Sequence, residues 1–192
     1  MHLGRPVNSN SAGLRSGSLS SPRPGPAPNL PPASLAPNPG PEKVRILVVE
    51  DDPFVRGGIA RLINGQADLA CCGEAGSIAA TPLAVATQKP NLVLLDLKLQ
   101  DGDTFDLINS LKRQFPNVPI LVLSQYDEKL YAEKALQAGA RGYVMKEAAT
   151  EQLLSALRMV LDGKIYLSPA MTARLIQAAP PRHLDQPSPP PG

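Results

Sequence analysis

No apolar stretch of this sequence approaches the roughly 20 residues needed to cross a bilayer, and its first residues lack the hydrophobic run of a signal peptide. Both absences point to a cytoplasmic protein with no membrane association. Cysteine is nearly missing: Cys71 and Cys72 are adjacent, and no third cysteine exists to pair with either. A disulfide framework is therefore excluded, and the two read as small apolar residues in a reducing compartment. Acids are absent from residues 1–41, which carry ten of the 22 prolines, seven serines and three arginines. An Arg- and Ser-rich, acid-free start is shared with organellar transit peptides, but the prolines argue against the amphipathic helix such a peptide needs. An unstructured extension, or a start codon placed too early, is the expectation.

A basic surplus is also lacking where it would matter. Between residues 42 and 164 there are 14 Lys plus Arg against 16 Asp plus Glu, about −2, so the overall +2 comes from the ends. Direct nucleic-acid binding, which needs a basic face, is not expected. The ends themselves cannot bury enough apolar surface to offset the entropy of ordering. Residues 1–41 are expected to be a disordered Pro/Ser/Gly-rich extension and 180–192 a disordered Pro-rich tail, with a folded domain over 42–165 and a short helical appendix over 166–179.

What the folded part does contain is a strict alternation. The apolar runs "VRILVV" (44–49), the ragged "ADLACC" (67–72), "LVLL" (92–95), "PILVL" (119–123) and "GYVM" (142–145) are short, and most are rich in Val, Ile and Leu. Strands buried between two helical layers read this way. Helical patterns lie between them. One opens at Asp52–Pro53 and repeats Phe54, Val55, Ile59, Leu62 and Ile63; others are "TPLAVATQK" (81–89), "FDLINSLKRQF" (105–115), "EKLYAEKALQAG" (128–139) and "TEQLLSALRMVLDG" (150–163). Five strands and five helices in turn imply an α/β fold, a doubly wound parallel sheet in three layers. No Gly-rich phosphate loop follows the first strand, since Gly57 and Gly58 fall inside a helical pattern, so a nucleotide or flavin binder lacks support.

In such sheets the crevice at the carboxyl ends of the strands is where ligands bind. The residues just past each run are Glu50-Asp51-Asp52, Gly73-Glu74, Asp96, Ser124 and Lys146. Each has an ordinary explanation alone: Asp52 and Ser124 as helix caps, Lys146 as a solvated lysine, Asp96 as a turn residue. Adjacent carboxylates, however, raise each other's pKa unless a cation is near. Together, three carboxylates, a hydroxyl and an ammonium on one rim suit Mg²⁺, which prefers hard oxygens and also takes phosphate oxygens. Asp96 is then a nucleophile that accepts a phosphoryl group as an aspartyl-phosphate, with Ser124 donating a hydrogen bond to it and Lys146 neutralising its charge.

With these residues in place, the sequence over 43–165 resembles the response-regulator receiver domains of two-component signalling. "ILVVEDD", "LVLLDLKL", "ILVLSQYDE" and "AGARGYVMKE" resemble the family's four motifs, in order, at spacings of 45, 28 and 22 residues from Asp51 to Asp96, Ser124 and Lys146 in turn. The resemblance implies a flavodoxin-like strand order of 2-1-3-4-5, phosphorylation at Asp96, and Mg²⁺ on Glu50, Asp51, Asp96 and the backbone carbonyl of Lys98. It further implies phosphoryl contacts from Ser124 and Lys146, and a Tyr143 that moves inward with Ser124. A histidine kinase or phosphotransfer protein would be the donor. The face of 128–138, 142–145 and 150–163 would change for a downstream partner or a homodimer.

Departures are the long Glu50, Gln100 and Thr104 in the loop after Asp96, and Glu147 after Lys146. Glu147, with "LDGKIYLSPAM", resembles receivers that precede a LuxR-type DNA-binding domain, for which the remaining residues are too few. A truncated transcription regulator is thus the alternative to a receiver working through protein partners. An enzyme, a phosphatase turning over an aspartyl-phosphate, would place an Asp-x-Asp pattern after the first strand, where Glu50-x-Asp52 stands, and would need a cap domain. A signalling phosphoacceptor is expected instead.

Overall fold

Alternate residues of a strand face opposite sides, and in the computed structural model, which describes residues 42–148 and 150–178, that rule sorts the apolar runs into two cores. Leu47 and Val49 of β1 (Val44–Val49) join Val93 and Leu95 of β3 (Leu92–Asp96) and Val122 of β4 (Ile120–Ser124) in one core. Ile46, Val48, Leu92, Leu94, Leu121 and Leu123 face the other. Every residue of β3 and β4 is buried. With β2 (Leu69–Ala75) and β5 (Gly142–Met145), they form one parallel sheet in the order β2-β1-β3-β4-β5.

Helices cover both faces. α1 (Pro53–Asn64) and α5 (Thr150–Leu161) bring Ile59, Ile63, Leu153 and Leu157 to one core. α2 (Thr81–Gln88), α3 (Thr104–Gln114) and α4 (Glu128–Ala138) bring Val85, Ile108, Leu111, Ala132 and Ala135 to the other. The described residues hold six helices rather than the five expected in the sheet's alternation; α6 (Pro169–Ala178) is the additional one, and its Met171 enters the core shared with α2, α3 and α4. The expected disordered ends, 1–41 and 180–192, lie outside the described residues.

The raggedness of β2 has a local cause. Ile46 pairs with Cys71 and Leu47 with Gly73, so Cys72 is the extra residue of a bulge, and the strand runs on to Ala75. Cys71 faces one core and Cys72 the other, as alternation along a strand requires, and burial pushes both thiols up.

Three acids that follow strands are consumed by helix starts. The Asp52 carboxylate accepts the Phe54 and Val55 amides at 2.8 and 3.2 Å, with Pro53 opening α1, as its sequence suggests. Asp103 caps α3 and Asp127 caps α4. Asp101 accepts the Ile78 and Ala79 amides ahead of α2, and those bonds hold its carboxyl below the usual range. Ser124 is not a helix cap; Asp127 has that place.

On the surface, the Arg158 guanidinium of α5 grips Asp68 with two bonds of 2.8 and 2.9 Å, which pull the carboxyl from its ordinary 3.8 to about 2. A carboxyl lowered by folding contributes stability above its unfolded value and loses it as pH falls through its folded one. The contribution of this pair is therefore expected to fade between pH 3.8 and about 2. An NMR titration should place Asp68 at the bottom of that window, and Arg158→Ala should return it to the top.

Candidate functional site

The carboxyl ends of β1 and β3 are neighbours in the sheet, so the residues that follow Val49 and close β3 meet by register alone. Ligand-capable oxygens of Glu50, Asp51 and Asp96 lie within 4.8 Å of one another. Glu50 and Asp96 are almost fully buried, 2% and 3% exposed, while Asp51 is half-buried. Three negative charges that close would not stay together unaided.

Lys146, just past β5, supplies the counter-charge. Its ammonium reaches over from the far edge of the sheet and lies 2.6 Å from Glu50 Oε2 and 2.9 Å from Asp96 Oδ2. Its backbone is fixed by a bond of 2.7 Å from the Lys146 amide to the Ser124 carbonyl. Burial alone would lower the Lys146 pKa, but bonds and charge from both acids together raise it. Glu50 is raised, first by burial and then by Asp96, against the pull of Lys146. The acid pair is also braced from behind. The Arg56 guanidinium donates to the carbonyls of Glu50 (2.5 Å) and Asp51 (3.2 Å) and to the Glu74 carboxylate (3.2 Å).

Above the cluster is an open cavity of about 460 Å³ lined by Glu50, Asp51, Asp96, Lys98, Gln100 and Lys146 among others. The loop after Asp96 is pinned by the buried Thr104, whose hydroxyl donates to the Leu97 carbonyl at 2.9 Å, so threonine in place of a smaller residue serves as an anchor there. Among the described residues, Asp96 Oδ1 is buried without any hydrogen-bond partner. An orphaned carboxylate oxygen is costly, and one beside two further carboxylates is what a hard divalent cation relieves. The donor set therefore fits such an ion.

Five of the seven residues singled out from the sequence thus line one cavity: Glu50, Asp51, Asp96, Lys98 and Lys146. Ser124 and Tyr143 do not. Ser124 is fully buried, one residue past the Leu123 that pairs with Asp96, and its Oγ accepts the Tyr126 amide at 3.1 Å. Tyr143 is fully buried on the α4 side, where its hydroxyl donates to the Tyr126 carbonyl at 2.8 Å and burial pushes its pKa up to about 12. The inward swing expected of Tyr143 does not start from the surface in this structure. Arg56 was not singled out, and no pattern marked it: its neighbours Phe54 and Val55 are apolar yet exposed, the reverse of what hydropathy suggests.

A parallel doubly wound sheet with three acids and a lysine gathered at the carboxyl ends of its strands puts a charged cluster where sheets of this kind bind ligands. The family model for the response regulator receiver domain matches residues 46–158. The chain belongs to that family, the receiver domains of two-component systems, which are signalling domains rather than enzymes in the ordinary sense.

It is 32% identical over 134 residues to the oxygen regulatory protein NreC of Staphylococcus carnosus (strain TM300), a match covering 69% of this chain and 62% of the relative. It is 32% identical over 133 residues to the response regulator GacA of Pseudomonas protegens, with the same coverage. The chain thus spans about three-fifths of the length of these curated relatives, 62%. Among solved structures it resembles a LuxR-family two-component response regulator from Aurantimonas sp. SI85-9A1 (TM-score 0.66, 27% identity, 71% of this chain and 98% of that one). The signal receiver domain of the putative response regulator NarL from Mycobacterium tuberculosis is similar too (TM-score 0.61, 27% identity, 65% and 100%).

Removing the ammonium isolates the acids. Lys146→Met is expected to cost about 2 kcal/mol of unfolding free energy, less than a fully buried pair because Lys146 is partly exposed. Adding Glu50→Gln should recover part of that loss. Urea denaturation of the two single variants and the double variant measures the coupling.

Proposed function

We propose that this chain is the phosphorylated receiver of a two-component pathway, acting in the cytoplasm, with Asp96 as phosphoacceptor. The observation that carries the reading is the pairing of Lys146 with Asp96 Oδ2 while Oδ1 stays unpartnered in the same acidic nest. A carboxylate oxygen of Asp96 attacks the phosphorus of a phosphohistidine on the donor protein, a histidine kinase or phosphotransfer protein. The O–P bond forms as the P–N bond breaks, and the imidazole leaves with the electron pair. The transfer asks mainly for position and charge.

Lys146 holds Asp96 in place before transfer and pairs with the phosphoryl oxygens after it. Glu50, Asp51, Asp96 and the Lys98 carbonyl would hold Mg²⁺, which when bound neutralises the carboxylates and offsets the charge brought by phosphate. Ser124 exchanges its bond from the Tyr126 amide for one to the phosphoryl group, which moves the loop that Tyr143 also holds. The face of α4, β5 and α5 then carries the signal to a protein partner or a second copy. Such a switch is a shift between two populations, so phosphate must favour one of them.

The similarity to longer regulators, of which the chain spans 62%, favours a second reading of the output: the receiver part of a LuxR-type transcription regulator. The chemistry at Asp96 is the same in both.

Incubation with acetyl phosphate and Mg²⁺ should add one phosphate by intact mass spectrometry. Asp96→Asn, and chelation of the metal in the parent protein, should each abolish uptake. Unchanged mass in the parent protein would contradict the reading.

A further inference from the structure

Residues 166–178 lie where the signalling face should be open. The Tyr166 carbonyl accepts the Tyr143 amide and its amide donates to the Arg141 carbonyl, both at 3.0 Å, so it adds a single parallel bridge to the free edge of β5 opposite Gly142. A side chain at Gly142 would put its Cβ 2.9 Å from the Tyr166 carbonyl oxygen, so glycine is what permits this approach. α6 then reaches the start of α4. Met171 packs into the core beside the α4 alanines, and Arg174 donates to the Lys129 carbonyl at 3.1 Å.

The hold on this segment is thin and runs through the switch loop. Among the described side chains of α6, only Met171 is buried. The cap of α6 is Ser168, whose hydroxyl accepts the Met171 amide at 3.1 Å. The Ser168 amide in turn donates to the carboxylate of Glu128 at 2.9 Å. Glu128 opens α4 and is 9% exposed, and among the described residues that amide is the donor its carboxylate accepts from.

Four residues earlier stands Ser124, and between them the Tyr126 carbonyl takes the Tyr143 hydroxyl while its ring stacks on Tyr131 at 4.9 Å. Of the segment's attachments, the one at Glu128 ends on the residue that closes the Ser124 loop, and the one at the Tyr143 amide ends on a residue whose hydroxyl that loop also holds. Nothing in the sequence pattern of 166–178 connects it to Asp96; only the fold does.

We propose that residues 166–178 are a built-in occupant of the α4–β5 face, latched by Glu128 and released when the loop from Ser124 to Glu128 shifts on phosphorylation. The inference rests on the receiver reading above and adds to it the occupant that any partner helix must displace. Glu128 is a positioning residue here: it takes no part in phosphoryl transfer.

Hydrogen–deuterium exchange of the full chain tests it, with bound phosphate read by intact mass in the same samples. After acetyl phosphate and Mg²⁺, exchange over 169–178 should quicken on the order of tenfold, as for a local opening, while α3 stays unchanged and Asp96→Asn shows neither effect. Phosphate uptake without faster exchange overturns the latch and leaves the receiver reading standing. No uptake overturns the receiver reading, and phosphate-driven release with it. Without phosphate, Glu128→Ala should quicken exchange over the same residues and Glu128→Gln, which keeps an acceptor oxygen, should not. Protection of α6 retained in Glu128→Ala overturns the role of Glu128. If that variant is poorly folded, Met171→Ala, outside the loop and the phosphoryl site, should release α6 with phosphate uptake intact, and α6 still protected there overturns the proposal.

Discussion

Among the described residues, Lys146 carries the positive charge that stands directly between Glu50 and Asp96, at 2.6 and 2.9 Å, and the arrangement of the site follows from holding that ammonium there. Carboxylates so close and so buried repel each other and are poorly solvated. A surface lysine on a flexible stem would give little. Here the ammonium is drawn in by two acids from two strands, and its backbone is tied to β4, so the ends of β1, β3, β4 and β5 are bound into one unit. The charge is also incomplete by design of the site: one ammonium against three carboxylates leaves Asp96 Oδ1 without a partner. That residual negative charge is the site's capacity to take a further cation.

The sheet matters because it makes this convergence automatic. Parallel strands all deliver their next residues to the same edge, and residues 46–49 and 92–95 in register put Glu50 and Asp96 side by side. The sequence pattern was sufficient for this much. Continuous apolar runs, each followed by a polar residue, read directly as buried parallel strands with a polar edge, and the strand order expected from the family resemblance is the one observed. Asp52, a cap by its position before Pro53, is a cap.

Less was legible where a side chain's role depends on a neighbour distant in sequence. The hydroxyl of Ser124 sits at a strand end like the acids, yet it turns to the Tyr126 amide because the backbone tightens there before α4. Tyr143 reads as one aromatic in a short strand, and only the packing of α4 and residue 166 over β5 explains its full burial. Arg56 looks like any exposed helix cation, but α1 starts so close to the acids that its guanidinium reaches two carbonyls and Glu74. Glu128 is one charge among several at the start of α4, and its bond to residue 168 spans 40 positions. Hydropathy periods carry no information on such contacts.

Paramagnetic broadening by Mn²⁺, a hard cation of similar ligand preference, tests the central claim most directly. Added at low stoichiometry to the isotope-labelled chain, it should erase the amide signals of residues 50–52 and 96–98 first, with the amino-terminal edge of the sheet untouched and Asp51→Asn weakening the effect. Broadening that starts at the exposed acids of α3 or α4, or that is spread evenly over the surface, would contradict the account.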